Sequence, residues 1–463
     1  MKTVFFMPDV FSAVIAGYLF TYIYSPRGGL VNEVLKAVGL GMFTKTWLGD
    51  VKTVIPAIVF TSIWQYLGAH GVMYLAGLQS IPTDLYEAAD IDGVTLFSRF
   101  RNITLPLLGP AITLNCVWAL INYFKVFDII FIMTNGGPVN ASQSVTTMIY
   151  QFAFKNSRFG YAAALGIVLF LIIAGMSMFL ASNLRKRGGG DVRKPLHKGL
   201  KLLPEALNLA VTGIWAVPIV IAIFNGLKSD SEIRQNVNGF PQDPVFANWL
   251  TVFVKGHYNE SFVTSISLAA VSMIVIILCG SVAYPISRNN SKLNKFLHML
   301  FLAGLMVPPG LTMVPNYKLF RSLHFINTPM LLIALYTAIY LPFTVLIYTG
   351  FIKSVPRELD ESARIDGCSP FRIYWKVIFP LLRPVNATAI VILSIPIYND
   401  FLNPLLYASK LKTVTLSMYN FNGQYYTAWN MVFAGVTMTM IPPIIVFLLF
   451  QKHFEKGLVA GAI

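Results

Sequence analysis

Ten apolar runs, each long enough for a membrane-spanning helix, constrain the fold more than any other feature of the sequence. A spanning helix needs about 20 mostly apolar residues because the hydrocarbon core of a bilayer is about 30 Å thick. Hydrophobic residues make up 56% of the 463 residues and charged residues only 12%, against about 25% charged residues in soluble domains. The sequence therefore predicts an all-α integral membrane protein with about ten transmembrane helices, and it excludes a soluble enzyme. The runs lie near 4–24, 53–78, 107–133, 161–183, 203–227, 262–286, 296–318, 329–352, 384–407 and 429–450.

The basic residues predict the orientation of the chain. There are 35 Lys and Arg against 20 Asp and Glu, a net charge of +15. Because the basic residues flank apolar runs, they indicate loops on the inner side of a membrane and no nucleic-acid partner. With ten spans both termini lie on one side. If that side is inside, 21 basic residues fall in inner segments and 13 in outer ones, so we expect both termini to be cytoplasmic.

A basic, glycine-rich segment indicates a join between two units. Residues 185–201 read RKRGGGDVRKPLHKGLK, with seven basic residues, three consecutive glycines and one proline. The charges also suit an inner-side anchor. We therefore expect a first unit of four spans at 1–187, a linker at 188–201 and a second unit of six spans at 202–463.

Two inner loops repeat each other at an offset of 274 residues. Residues 82–110 read PTDLYEAADIDGVTLFSRFRNITLPLLGP and residues 356–384 read PRELDESARIDGCSPFRIYWKVIFPLLRP, with 12 of 29 positions identical. We call them the first and the second repeat loop. Six predicted spans separate them, an even number, so both loops face the same side and the repeat is parallel.

Each repeat loop is expected to fold as two short helices with a bend between them. Acidic residues lie in the first helix near its positive end, and Gly93 and Gly367 end it because glycine adopts positive φ at low cost. A second short helix is expected over 95–103 and 369–377. A loop that only joins two spans accounts for one such copy, whereas two matched copies favour a pair of docking surfaces for similar partners.

The repeated motif resembles the signature loop of permeases of binding-protein-dependent ABC importers. The first copy reads Glu-Ala-Ala with a glycine four residues on and Ile-x-Leu-Pro about a dozen residues later, and the second departs from it at Ser362 and Phe379. The surrounding residues resemble the carbohydrate branch, which imports maltose, other oligosaccharides or glycerol phosphate. The resemblance implies that the loops contact ATPases through Glu87, Ala88, Ala89, Asp92, Gly93 and Pro106, and through Glu361, Ser362, Ala363, Asp366, Gly367 and Pro380.

The resemblance also implies partners and a location, and the chain departs from the family in one respect. It implies two ATP-binding cassette subunits, an extracytoplasmic solute-binding protein that contacts loops near 25–52 and 228–260, a sugar substrate, and the inner cell membrane of a bacterium or archaeon. Two separate chains of about six spans usually pair in this family. Here both units lie on one chain, and the first matches only the last four spans of a full unit.

ATP hydrolysis is expected on the partner subunits, because the sequence contains no GxxxxGK[ST] phosphate-binding loop. This chain is therefore expected to act as a transporter subunit and not as an enzyme, with ATP and Mg²⁺ bound elsewhere. Its three cysteines, Cys116, Cys279 and Cys368, form no CxxC pair, so we expect no metal site.

Polar residues within or beside the apolar runs are candidates for a solute path, because charged groups in a span are costly and usually functional. Amides, carboxylates and aromatic rings also suit sugars. The alternative for Asp128 and Asp400 is capping at an outer helix end, and His70 is expected to be a packed, hydrogen-bonded histidine. The candidates are Asn115, Asn122, Tyr123, Asp128, Tyr398, Asn399, Asp400 and Asn403.

Three other functions stay open at this point. A secondary transporter coupled to H⁺ or Na⁺ also tolerates parallel repeats, although it would need paired ionisable groups within the membrane. A passive channel or a membrane scaffold would need no ATPase. A membrane enzyme is disfavoured because no nucleophile–base pair or metal cluster emerges.

Overall fold

Helices form all the regular structure in the described part of the chain, which in this computed structural model is residues 2–461 except 80, 186–201, 237, 306, 308 and 421–428. No β-strand occurs in those ranges. The predicted linker at 188–201 lies outside the described residues.

The helices before the linker form the first unit. Short π-helical turns at Phe100–Thr104 and Gln151–Lys155 continue two of them. They are α1 (Lys2–Val10), α2 (Ala13–Ile23), α3 (Leu30–Ala37), α4 (Val54–Gln79), α5 (Asp84–Ile91), α6 (Leu96–Arg99), α7 (Leu105–Leu107), α8 (Gly109–Phe124), α9 (Asp128–Met133), α10 (Val145–Tyr150) and α11 (Phe159–Arg185).

The helices after the linker form the second unit, with one further π-helical turn at Tyr374–Ile378. They are α12 (Leu202–Gly226), α13 (Asp230–Gln235), α14 (Ala247–Lys255), α15 (Tyr258–Cys279), α16 (Ala283–Arg288), α17 (Lys292–Leu305), α18 (Pro309–Ser322), α19 (Pro329–Ser354), α20 (Glu358–Ile365), α21 (Pro370–Ile373), α22 (Phe379–Leu381), α23 (Arg383–Asn399), α24 (Leu402–Tyr407), α25 (Val414–Asn420) and α26 (Trp429–Gly461).

The all-helical membrane architecture predicted from the sequence is confirmed, while several of the predicted spans are not single straight helices. Four helices in the described ranges are long and apolar enough to cross a membrane alone, and three bent pairs raise the number to seven. The four are Phe159–Leu180, Tyr258–Arg288, Pro329–Ser354 and Trp429–Leu449.

Several of the remaining predicted spans are broken. The run at 4–24 divides into α1 and α2, because Ser12 accepts a hydrogen bond from the Ile15 amide and caps a new helix. The run at 296–318 divides into α17 and α18, which meet at 105°. Breaks of this kind are tolerated in membranes where neighbouring helices re-satisfy the freed backbone groups.

The two units share one hydrophobic core. α11 of the first unit packs on α18 of the second, and a Cβ on Gly166 would lie 2.9 Å from the Leu311 Cα. A small residue is needed there because the two backbones approach so closely. The Trp64 indole also donates to the Trp215 carbonyl across the boundary, at 3.0 Å.

Candidate functional site

Both repeat loops bend at their glycine, as the sequence predicts. α5 ends at Ile91 and Gly93 has φ +67°, while α20 ends at Ile365 and Gly367 has φ +77°. A Cβ at either glycine would meet no atom within 4 Å. The restriction is therefore in the backbone, because L residues with a side chain rarely adopt this φ.

The second limb of each loop is longer than expected. α6, the π-helical turn Phe100–Thr104 and α7 continue to Leu107, and α21, the turn Tyr374–Ile378 and α22 continue to Leu381. Pro106 and Pro380 therefore lie within the limb and not after it. The limbs then meet the following helices at 65° in the first loop and 73° in the second.

The first limb of each loop exposes its predicted contact residues except for one alanine. Ala89 and Ala363 are buried and hold α5 and α20 against the protein. The other predicted contact residues of these limbs are exposed, which leaves their side chains free to meet a partner; they are Glu87, Ala88, Asp92, Glu361, Ser362 and Asp366.

Exposed apolar side chains at matched positions were missed by the sequence analysis. Ile91 and Ile365 are 86% and 87% exposed, and Phe97 and Phe371 are 72% and 75% exposed. Both pairs are identical in the repeat, although identity alone does not indicate exposure. Apolar groups this exposed on two equivalent surfaces mark an interaction site, because they would otherwise contact water.

A second polar region lies where the two units meet. The Tyr336 hydroxyl and the Asn403 side-chain amide each donate to Asp400 Oδ2 at 2.8 Å. The neighbouring Asn399 amide donates to the Val10 carbonyl of the first unit, also at 2.8 Å. These contacts place Asp400 inside the protein, against hydrogen-bond donors from α19 and α24.

The first unit contributes two more carboxylates, Asp128 and Asp9, and Asp9 directly precedes the Val10 carbonyl that accepts from Asn399. Asp128 interacts electrostatically with Asp400, and Tyr66 lies within electrostatic range of both Asp9 and Asp128. Asp9 was missed because the run at 4–24 was interpreted as one uniform span, although an acid in an apolar run is a signal in itself. One carboxylate oxygen of Asp128 is buried and accepts no hydrogen bond from the described residues.

The candidates on α8 lie in a different place. His70 contacts the Asn115 side chain at 2.5 Å and the Tyr123 hydroxyl at 3.2 Å, in a cavity of about 250 Å³ between α4 and α8. His70 is thus the hydrogen-bonded histidine expected from the sequence. Asn122 is exposed and donates to the Trp118 carbonyl of its own helix.

The eight predicted path residues therefore form two groups and not one. Asp128, Asn399, Asp400 and Asn403 lie at the boundary between the units, with Tyr398 buried beside them and donating to the Thr439 carbonyl at 3.5 Å. Tyr66 lies beside the α8 group, with its ring 6.2 Å from that of Tyr123. Among the described residues, no three His, Cys, Asp or Glu side chains are placed to hold a metal ion.

Comparison with known proteins finds a family of transport proteins that this chain matches. A family model described as "binding-protein-dependent transport system inner membrane component" matches residues 2–187 and 272–459. MelC of Bacillus subtilis (strain 168), a melibiose/raffinose/stachyose import permease protein, is 34% identical over 251 residues, which cover 53% of this chain and 91% of MelC.

Two further relatives are also permease proteins. AmyC of Thermoanaerobacterium thermosulfurigenes, a probable starch degradation products transport system permease protein, is 31% identical over 266 residues, covering 57% of this chain and 97% of AmyC. MsmG of Streptococcus mutans serotype c, a multiple sugar-binding transport system permease protein, is 33% identical over 266 residues, covering 55% of this chain and 94% of MsmG.

Proposed function

The chain belongs to the family of inner membrane components of binding-protein-dependent transport systems, and on that basis we propose that it is the membrane-spanning subunit of an ATP-driven sugar importer. The matched repeat loops carry the proposal. Two equivalent surfaces, each with an outward glutamate and exposed isoleucine and phenylalanine side chains, suit docking to two equivalent ATPase subunits. The sugar assignment is supported by relatives whose names describe sugar permeases.

We further propose that one chain supplies both permease units of the importer. Two separate ranges that match the family model, 2–187 and 272–459, support a division into two units, for which we propose the bounds 1–187, 188–201 and 202–463. Each unit would present one repeat loop to one ATP-binding cassette subunit. ATP and Mg²⁺ would be bound by those subunits, and an extracytoplasmic binding protein would deliver the sugar.

The polar groups between the units are the proposed solute path. Sugar hydroxyls can donate to the carboxylates of Asp9, Asp128 and Asp400, and the free oxygen of Asp128 provides an acceptor that no described residue uses. Leaving such a buried acceptor unpaired costs about 1–3 kcal/mol. A passing hydroxyl would relieve that cost, and solvent can do so in the absence of solute.

Reconstitution in proteoliposomes tests this function against its alternatives. The chain, its copurifying ATPase subunits and the cognate binding protein should take up labelled melibiose, raffinose or maltodextrins only when ATP is supplied. Uptake driven by a proton or sodium gradient without the ATPases would indicate a secondary transporter instead. Equilibration of sugar without ATP or a gradient would indicate a channel.

We propose a cytoplasmic location for both termini and both repeat loops, based on the basic residues of the inner segments. Ser98→Cys and Arg372→Cys, each in a chain whose native cysteines are replaced by serine, should resist an impermeant maleimide in intact cells. Both should react once the membrane is permeabilised. Reaction of either cysteine from outside would contradict this orientation.

A further inference from the structure

The second repeat loop is tied to a neighbouring helix by a buried ion pair. Arg288, at the end of α16, lies 2.8 Å from Asp360 of α20, and the two side chains are only 9% and 7% exposed. The Tyr284 hydroxyl donates to Asp360 at 2.5 Å, and Arg288 donates to the Val355 carbonyl at 3.0 Å. Asp360 therefore joins α20 to α16, and Arg288 joins this pair to the end of α19.

Apolar packing surrounds this ion pair. A hydrophobic cluster separate from the main core contains residues of α16, α19 and the second limb of the second repeat loop. Within it the rings of Tyr284 and Tyr374 lie 5.5 Å apart, and Ile373 and Ile378 are fully buried. The loop and α16 thus form one packed body.

The first repeat loop has no equivalent attachment in the described part of the chain. At the offset of 274 residues, Tyr86 replaces Asp360 and Phe100 replaces Tyr374. Phe100 is 51% exposed, whereas Tyr374 is 4% exposed. Tyr86 contacts Thr104 at 3.0 Å and lies under Arg99, and both of these partners belong to the same loop.

The helix that carries Arg288 is also fixed at its far end. The stretch Tyr258–Arg288 has 31 residues, or about 46 Å at 1.5 Å per residue. Near its start the Ser261 and Ser417 hydroxyls lie 2.6 Å apart, and Ser265 accepts from the Val414 amide at 3.0 Å. The continuous helical stretch formed by α15, the 3-10 turn Gly280–Val282 and α16 therefore links α25 to the second repeat loop.

We propose that Asp360, Arg288 and Tyr284 are positioning residues that make α20 move together with the Tyr258–Arg288 helix, so that the two repeat loops are not mechanically equivalent. The second loop would exchange motion with the far side of the membrane through this helix. The first would do so through α4 and α8, the helices that flank it in the described part of the chain. The role of the loops in transport rests on the proposed function. The attachment of the second loop and its effect on transport are therefore tested separately.

Cys368 provides a reporter in the second loop. It directly follows Gly367, is partly buried, and packs against the cluster around the ion pair. With Cys116 and Cys279 replaced by serine, Asp360→Asn should raise the rate of Cys368 labelling by maleimide in the purified chain about tenfold or more, because a buried arginine is left uncompensated. Arg288→Gln/Asp360→Asn, which pairs two neutral amides, should label more slowly than Asp360→Asn.

The first loop supplies the matched control. Val94 corresponds to Cys368 and Tyr86 to Asp360, so Tyr86→Phe should leave the labelling of Val94→Cys unchanged in a chain without native cysteines. Equal labelling of Cys368 in the native chain and in Asp360→Asn would overturn the attachment. If Asp360→Asn is not monodisperse, Arg288→Lys takes its place. It keeps the charge and should raise the labelling rate by a smaller factor, and an unchanged rate would again overturn the attachment.

The functional part uses the ATPase subunits that copurify with the native chain. Asp360→Asn should keep these subunits and basal ATP hydrolysis but lose most of the stimulation by solute-loaded binding protein, and Asp360→Glu should recover part of it. Tyr86→Phe should behave as the native chain. Failure of the native chain to bind any ATPase would contradict the proposed function. Native stimulation in an assembled Asp360→Asn complex would overturn the transmission role alone.

Discussion

Replacing Phe97 and Phe371 together by serine should weaken association with the ATPase subunits by about 1000-fold or more. Truncating an aromatic side chain at the centre of an interface costs about 2–4 kcal/mol, and every 1.4 kcal/mol is about a factor of ten. Both rings are largely exposed in the chain alone, so their loss should not unfold it. The measurement is copurification of the ATPase subunits at a series of concentrations.

Two control variants test whether the loss of association is specific to the exposed rings of the repeat loops. Phe246→Ser removes a ring that is also exposed but lies on a predicted outer loop, and it should leave association unchanged. Glu87→Ala/Glu361→Ala removes the matched glutamates and should weaken association by a smaller factor, since a hydrogen bond to a charged group contributes about 1.5–3 kcal/mol at most. Native association in Phe97→Ser/Phe371→Ser would remove the exposed rings from the docking surface.

Asp400→Ala should lower sugar uptake by about tenfold to a hundredfold while leaving the assembly with the ATPases intact. The substitution removes an acceptor for solute hydroxyls and also leaves the buried Tyr336 hydroxyl and the Asn403 amide without the oxygen that they contact. Each unpaired buried group costs about 1–3 kcal/mol. Uptake into proteoliposomes, normalised to the ATPase subunits bound, is the measurement.

The conservative change separates the charge of Asp400 from its hydrogen-bonding role. Asp400→Asn keeps one oxygen as an acceptor and should retain more uptake than Asp400→Ala. Asp243→Ala removes an exposed acid outside the predicted path and should transport as the native chain does. Native uptake in Asp400→Ala would show that the carboxylate has no part in the path.

The helices and the bends of the repeat loops could be predicted from the sequence because both depend on local chemistry. A run such as 329–352 is apolar throughout, and α19 covers it from Pro329 to Ser354. A glycine between two short helical segments favours positive φ, as Gly93 and Gly367 have. The division of the run at 4–24 was missed because a single serine cap at Ser12 decides it.

Features that depend on distant contacts could not be predicted. Tyr284 and Asp360 lie 76 residues apart in the chain, and no periodicity in either segment indicates that they meet. Identity in the repeat did not reveal that Ile91 and Ile365 are exposed, because an apolar residue in a loop can equally be buried. The separation of the candidate path residues into two groups could not be predicted either. It depends on which neighbouring helices α8 and α23 contact with their polar side chains.

The close packing of α11 on α18 joins two halves that are already held on one polypeptide, and this has a consequence for assembly. Synthesis of a single chain supplies the halves in a fixed one-to-one stoichiometry, whatever its amount. A tether also raises the local concentration of one half around the other to about the millimolar range. Freely diffusing permeases in the same membrane would have to reach comparable concentrations to compete for the α11–α18 contact, so hybrids with related importers should be rare even where several are expressed together.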